Sequence, residues 1–310
     1  MDRVGFNGDV VIVTGAGRGI GREHALLMAS LGARVVVNDA GVSVDGSTGD
    51  NPAEAVVREI RERGGEAVVS THSIDDPGAA AEITALALAE FGSVEAVVHN
   101  AGILRDRTFT KLSDEDVQRV VDVHLMGAFN VLRPAVTHMR EKGYGRIVLT
   151  ASASGLLGTF GQSNYGAAKM GLVGLMNVLA IEGGPKGILV NTIAPSARTR
   201  MTEELLGPLA EHLNPAHVSP LVAYLSSPQC SVSHEIFAVG GGRYARMFVG
   251  VAPGWTMGTG KVASPDDVLA NIDSIRSIDG FVIPSSGEDE LAFLQAAIEQ
   301  ADQGPVRVKK

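Results

Sequence analysis

Short apolar runs alternate with longer stretches of mixed polarity through most of the chain. Val10–Val13, Arg34–Val37, Ala67–Ser70, Ala96–His99, Arg146–Ala151 and Ile188–Ile193 read as strands. Between them, Arg22–Leu31, Ala53–Arg63, Ala79–Phe91 and Asn164–Glu182 have the length and mixed patterning of helices, and a further helix runs from Ser113 to about Met139. Gly32, Gly64-Gly65 and Gly92 stand where helices stop. Ser113 stands where one starts, with Asp116 at the capping-box position. The strand runs are continuously apolar rather than alternating, as expected of strands covered on both faces. Strand–helix alternation of this kind predicts an α/β fold. It is a Rossmann-type, doubly wound parallel sheet with helices on both faces.

Two stretches break the rhythm. Ala40–Asn51 is a polar, glycine-rich loop longer than the usual connection. Beyond Gly240 the pattern weakens into loops at Gly240–Gly242, Gly250–Gly260 and Pro284–Gly287, with helical stretches only at Ser264–Arg276 and Glu288–Gln300. The expected organisation is a sheet domain over residues 1–242 and a C-terminal extension over 243–310, packed on it as an appendage.

Composition narrows the function classes. With 45% apolar and 20% charged residues, the 310-residue chain is not a disordered one. A net charge of −9 argues against a general nucleic-acid binder. Cys230 is the single cysteine, which excludes an intrachain disulfide or a cysteine-rich zinc site and fits a small apolar filler. The longest uncharged run, Val148–Ala168, holds Ser152, Ser154, Gln162, Asn164 and four glycines, so it is no membrane span. The expectation is a soluble, cytoplasmic protein with no metal centre and no membrane or nucleic-acid partner.

Two constellations carry chemistry. The first is Thr14-Gly15-Ala16-Gly17-Arg18-Gly19-Ile20-Gly21, which follows a strand and opens a helix. A pyrophosphate needs backbone N–H groups at a helix N-terminus, and side chains there would block its approach. Asp39 ends the second strand, 18 residues after Gly21, where a carboxylate can accept both hydroxyls of an adenosine ribose and repel a 2′-phosphate. Asp39 therefore favours NAD over NADP, although Arg18 could pair with that phosphate. The second constellation is Ser152 at the end of the fifth strand, Tyr165 after 12 intervening residues, and Lys169 four further on. Tyr165 and Lys169 share one helix face. A nearby cation favours the phenolate, which can take a substrate hydroxyl proton as hydride leaves, while Ser152 orients the substrate oxygen and Lys169 can also hold a ribose.

With these residues in place the chain resembles the short-chain dehydrogenase/reductase family over roughly Gly8–Gly242. The resemblance rests on the glycine octet, Asn100-Ala101-Gly102, the Ser152/Tyr165/Lys169 set, and Ala194-Pro195 followed by Thr199. It implies that Gly15, Arg18, Gly19, Ile20, Gly21, Asp39, Asn100, Ala101, Gly102, Tyr165, Lys169, Pro195 and Thr199 surround the dinucleotide, with Asn100–Gly102 also supporting the central sheet. Val36–Asp39, Ala101–Arg107, Thr150–Gly155, Ile193–Pro195, Arg200–Glu203 and the Ala40–Asn51 loop are similar to a narrower subgroup. That subgroup comprises the (3R)-hydroxyacyl-CoA dehydrogenase units of peroxisomal multifunctional enzymes, also called 17β-hydroxysteroid dehydrogenase type 4, and their bacterial relatives. It implies NAD-dependent oxidation of a (3R)-hydroxyacyl-CoA to the 3-oxoacyl-CoA in fatty-acid or sterol side-chain β-oxidation, with an acyl-CoA or steroid-CoA as substrate. A free 17β-hydroxysteroid dehydrogenase is the alternative within the family. A non-catalytic nucleotide sensor or scaffold is the alternative outside it.

Departures from the wider family carry information. His124 replaces an Asn that holds a proton-relay water, as in the narrower subgroup. His124 is thus a fourth catalytic candidate, acting through its side chain or through its backbone. His99 replaces the first Asn of the common Asn-Asn-Ala-Gly motif, and His72 stands where an adenine-binding Asp is common. Arg105 and Arg107 could meet a CoA phosphate, or could be a solvated loop held by Asp106. The resemblance also implies a homodimer, or a tetramer, built on the helices near Asp114–Met139 and Asn164–Glu182. No hydratase or sterol-carrier segment is present, which suggests a stand-alone dehydrogenase.

Overall fold

A computed structural model describes residues 3–41, 51–198 and 207–302. The chain divides into two compact units, one through Met247 and one from Phe248 onward.

The first unit is built on one sheet. Its strands are β1 (Val10–Thr14), β2 (Arg34–Asn38), β3 (Glu66–Ser70), β4 (Ala96–His99), β5 (Gly145–Thr150), β6 (Ile188–Pro195), β7 (Ile236–Gly240) and β8 (Arg243–Met247). They lie in the order β3-β2-β1-β4-β5-β6-β7-β8. All neighbours are parallel except the β7–β8 hairpin. The helices are α1 (Gly19–Ser30), α2 (Pro52–Glu62), α3 (Pro77–Phe91), α4 (Asp114–Val121), α5 (Gly127–Lys142), α6 (Ala153–Leu157), α7 (Ser163–Gly183) and α8 (Ser219–Ser226). Alternate residues of β1 serve opposite faces. Val11 and Val13 join a core with α1, α2 and α8, whereas Val10 and Ile12 join a core with α3, α5 and α7. Every residue of β1 is buried, which is why its apolar run is unbroken. The chain steps outward from β1 to β3, then returns to β4 and steps the other way. The crevice of a doubly wound fold therefore opens beyond the C-terminal ends of β1 and β4.

Several boundaries differ from the sequence expectation. The glycines after β7 form a hairpin turn, with Gly241 at φ +56° and Gly242 at φ +77°, so the sheet continues through β8 to Met247 rather than ending at Gly242. The long helix after Ser113 is not uniform. Asp122–Met126 widens into one π-helical turn between α4 and α5, with helical backbone on either side. Ser113 caps α4 by accepting from the Asp116 N–H at 3.1 Å. The Asp116 carboxylate faces Arg105 at 3.8 Å instead of completing a capping box.

The second unit holds α9 (Pro265–Ala270), α10 (Ile272–Arg276) and α11 (Gly287–Asp302). The expected Ser264–Arg276 helix is split because the Asn271 side chain turns back to the Asp267 carbonyl at 2.8 Å and competes with the backbone pattern. Phe248 stacks on Phe281 at 5.6 Å, and Val251 bridges Val282. None of its described residues is buried. No helix among the described residues is long and apolar enough to cross a membrane, and no cluster of metal-ligating side chains is found among them.

Candidate active site

The glycine loop joins β1 to α1 and is held from three sides. Thr14 Oγ1 accepts the N–H groups of Asn100 and Ala101 at 3.0 and 3.1 Å. The Asn100 amide donates to the carbonyls of Thr14 and Gly15, each at 3.2 Å. A Cβ on Gly21 would lie 2.2 Å from the Gly15 oxygen, so α1 can pack this tightly on the loop only with glycine there. α2, α3 and α4 each start on a capping side chain, from Asn51, Asp76 and Ser113. By contrast, α1 starts after Arg18 with no side-chain cap and no acid in its first turn. Its leading N–H groups have no intrahelical partner, and the helix dipole adds positive potential. The donor set suits a pyrophosphate, as required of a dinucleotide cradle.

Asp39 follows β2 and closes one side of this cradle. Its carboxylate accepts the N–H of Gly17 at 3.0 Å and of Gly41 at 2.9 Å. A carboxylate has acceptor capacity beyond two such bonds. His72 points elsewhere: Nδ1 meets Ser70 Oγ at 3.2 Å, and its carbonyl accepts from Asn38 at 2.9 Å. Pro195 closes β6. Thr199, Arg200 and most of the Ala40–Asn51 loop lie outside the described residues.

The second cluster lies past the end of β5. Ser152 starts α6, its hydroxyl accepting the Ser154 N–H at 3.1 Å. Tyr165 and Lys169 lie one turn apart on α7, with the Lys169 Nζ 5.5 Å from the centre of the phenol ring. Lys169 is buried, and its ammonium donates to the Thr150 carbonyl at 2.5 Å. Burial brings Lys169 down to about 7. It pushes the Tyr165 phenol up, opposed by a hydrogen bond from Ser152 and reinforced by the Asp106 carboxylate. Desolvation, rather than the Lys169 cation, thus dominates both groups in the ligand-free protein.

His124 sits in the π turn and is buried, its ring edge-on to Tyr165 with centroids 5.2 Å apart. Nε2 lies 2.8 Å from the Ile103 carbonyl and 3.1 Å from the Ile103 N–H. Nδ1 is buried with no hydrogen-bond partner among the described residues. Burial and Lys169 hold His124 well below the usual histidine range. The His124 carbonyl faces His99 Nε2 at 3.1 Å, and burial and Lys169 bring His99 down to about 4. Both histidines are therefore neutral at physiological pH. Gly102 lies against the His124 ring, leaving no room there for a Cβ.

Two side chains without a motif of their own hold the cluster. Asn164, next to Tyr165, donates to the Arg105 carbonyl at 3.0 Å and accepts the Tyr165 N–H at 2.8 Å. Gln162 donates to Asp106 at 2.7 Å. Their only sequence signal is polarity beside a candidate catalytic residue. Arg105 faces Asp116, and Arg107 donates to the Asp106 backbone carbonyl at 2.9 Å.

Residues 9–207 match the model of the short chain dehydrogenase family. The protein is a short-chain dehydrogenase/reductase. A solved short chain dehydrogenase from Mycobacterium avium superposes with a TM-score of 0.78 at 42% identity, covering 89% of this chain and 98% of its own. That coverage carries the resemblance past Gly242 into the C-terminal region. The chain is 49% identical to the mouse peroxisomal multifunctional enzyme type 2 over 239 residues, covering 76% of this chain and 32% of that enzyme. It is 38% identical to a hydroxyacyl-CoA dehydrogenase of Mycobacterium tuberculosis over 252 residues, covering 76% of this chain and 78% of that protein. The short-chain dehydrogenase/reductase described here is accordingly an oxidoreductase of the nicotinamide-dependent kind.

Proposed function

We propose that this dehydrogenase oxidises a (3R)-hydroxyacyl-CoA to the 3-oxoacyl-CoA with NAD as hydride acceptor, in fatty-acid or sterol side-chain β-oxidation. The strongest support is the convergence of Ser152, Tyr165 and Lys169 beyond β5, in a sheet whose β1 and β2 ends carry the glycine cradle and Asp39. The name of the mycobacterial relative, a hydroxyacyl-CoA dehydrogenase, points to the same substrate class.

In this mechanism the α1 N-terminus holds the pyrophosphate, and Asp39 holds the adenosine ribose and disfavours a 2′-phosphate there. Gly15, Gly19, Ile20, Asn100, Ala101, Gly102 and Pro195 would complete the cofactor's surroundings. The bound nicotinamide supplies the hydride acceptor. Ser152 Oγ donates to the substrate oxygen and orients the carbinol. Tyr165, as phenolate, takes the hydroxyl proton as the carbinol C–H breaks, leaving a ketone. Lys169 orients the nicotinamide ribose and stabilises the phenolate when protonated. His124 acts by fixing the Tyr165 ring, since its own nitrogens are turned to Ile103 and into the protein.

The test is the initial rate of NAD reduction with a medium-chain (3R)-hydroxyacyl-CoA and with a free 17β-hydroxysteroid, each repeated with NADP. A thioester preference above about tenfold, roughly 1.4 kcal/mol in the transition state, is expected. A faster rate with the free steroid overturns the CoA assignment, and a faster rate with NADP overturns the role of Asp39. We also propose a homodimer through α5 and α7. Ala167, Met170, Gly174, Val178 and Ile181 line an exposed apolar stripe on α7 at helical spacing. A monomer by light scattering at micromolar concentration would exclude it.

A further inference from the structure

His124 is gripped by three residues from one short stretch of chain. The Ile103 backbone meets its ring nitrogen, Gly102 lies against its ring, and the His99 side chain meets its carbonyl. His99 ends β4 and points to the same face as Val97, into the core shared with α3, α5 and α7. On packing grounds alone an apolar residue would suit that place better, because a buried imidazole gives up hydration that only hydrogen bonds replace. His99 is buried, and being neutral at physiological pH it carries a single N–H.

The neighbours of the ring decide which nitrogen holds that proton. Nε2 lies 3.1 Å from the His124 carbonyl, which can only accept, so Nε2 is the donor. Nδ1 is left as an acceptor and stands 3.5 Å from Thr14 Oγ1, at the long limit of a hydrogen bond. The Thr14 oxygen already accepts the N–H groups of Asn100 and Ala101, which leaves its own proton to face Nδ1. One imidazole therefore spans from the last residue of β1, where the cofactor loop begins, to the π turn. The His124 ring in that turn meets the Tyr165 ring at 5.2 Å and 87°.

We propose that His99 is a positioning residue: its Nε2–H holds the His124 backbone, and with it the ring set against Tyr165, in register with the start of the cofactor loop. This rests on Tyr165 being the acid–base group. Apolar packing is non-directional and leaves a turn free to shift by fractions of an ångström, whereas a hydrogen bond to its carbonyl has a preferred length and angle. The end of β4 thus ties the neighbour of the reacting phenol to the strand that presents the dinucleotide.

Two substitutions in the full-length protein separate the ring nitrogens. The Gln amide reaches to where Nε2 stands, so His99→Gln keeps a donor for the His124 carbonyl. The Asn amide reaches only to where Nδ1 stands, so His99→Asn removes that donor and keeps a partner for Thr14. With NAD and a (3R)-hydroxyacyl-CoA, His99→Asn is expected to lower kcat by about 10- to 100-fold, with KM for the dinucleotide little changed. His99→Gln should recover most of that loss. In a His124→Asn background, which lacks the ring, His99→Asn should lower kcat little further. The second readout needs no turnover. Nitrogen NMR of histidine-labelled protein, assigned with the same variants, should place the His99 proton on Nε2. The His124 ring-proton shifts, set by the facing Tyr165 ring, should move in His99→Asn and return in His99→Gln. A His99 proton on Nδ1 overturns the proposal, as do unmoved His124 shifts in His99→Asn, a His99→Gln that behaves like His99→Asn, or losses in kcat that add in the double variant. Should His99→Asn fail to fold, the wild-type proton position and His99→Gln still decide. Should no hydroxyacyl-CoA be turned over, the substrate assignment fails, while the NMR still decides the role of His99.

Discussion

Gly102→Ala tests how tightly the His124 ring is held against Tyr165. A Cβ on Gly102 would lie 2.2 Å from His124 Cε1, 3.0 Å from Nδ1 and 3.1 Å from Nε2. The ring cannot swing into solvent, being 1% exposed and tied to Ile103. It must shift by more than about an ångström to restore ordinary contact. Overpacking of this kind costs about 1–3 kcal/mol. A strained Ile103 hydrogen bond adds about 1 kcal/mol, and the stiffer unfolded chain returns about 0.4–1 kcal/mol. The net loss is therefore about 1–3.6 kcal/mol, which lowers Tm by roughly 2–14 °C for a domain of this size. Because the displaced ring abuts Tyr165, kcat should fall by more than KM for the dinucleotide rises. The deciding measurement is a double-mutant cycle with His124→Asn, whose smaller side chain makes room for the new methyl. Coupling of at least about 1 kcal/mol is expected from residues in contact. Additive losses, or an unchanged Tm in Gly102→Ala alone, would refute the idea that the glycine is there for the ring.

Other expectations follow from single groups. Tyr165→Phe should lose about 10²–10⁴-fold in kcat while dinucleotide binding, followed by fluorescence titration, persists. Thr14→Val leaves two N–H donors without their acceptor, so it should cost about 1–3 kcal/mol in denaturant unfolding and weaken dinucleotide binding. Burial and Glu95 raise Asp9 to about 6, so the folded state prefers the protonated acid. Stability therefore falls as pH rises from about 4 to about 6 and stays reduced above it. The full shift corresponds to about 3 kcal/mol, which partial exposure reduces to about 1–1.5 kcal/mol. Asp9→Asn should accordingly stabilise the protein at pH 7.5 and have little effect at pH 4; equal melting shifts at both would count against it.

The parts of the fold legible in the sequence are those whose burial is complete. β1, β2, β4 and β5 are buried along nearly their whole lengths, and their unbroken apolar runs announce it. β8 is an exposed edge strand of sequence Arg-Tyr-Ala-Arg-Met, so periodicity has little to act on, and the preceding glycines resemble a linker until the hairpin closes. The π turn is invisible for a different reason. Val121-Asp122-Val123-His124 carries no breaker, and the extra residue per turn is accommodated only in the packed protein. The site divides the same way. Ser152, Tyr165 and Lys169 are linked by spacing along one strand–helix unit, so the chain itself records them. Asp106, Gln162 and the glycine facing His124 make their contacts across loops that meet only after folding.

The contrast between the two halves of the site bears on how charge enters it. Lys169 at about 7, a phenol raised by burial, and two histidines held neutral leave the Asp106 carboxylate and a partly protonated Lys169 as the charged groups of the chemical half near neutral pH. The cradle half is polarised in advance: an uncapped helix start gathers positive potential, and Asp39 supplies a negative group within hydrogen-bonding distance of the same loop. A dinucleotide therefore meets fixed partial charges at its pyrophosphate and ribose and displaces little fixed charge at its reactive end. The proton inventory of Tyr165 and Lys169 is then set by the filled site rather than by the empty one. A limb of the pH–rate profile should differ from the ligand-free Tyr165 titration for that reason, and coincidence of the two would mean that burial, not the bound cofactor, governs the reacting phenol.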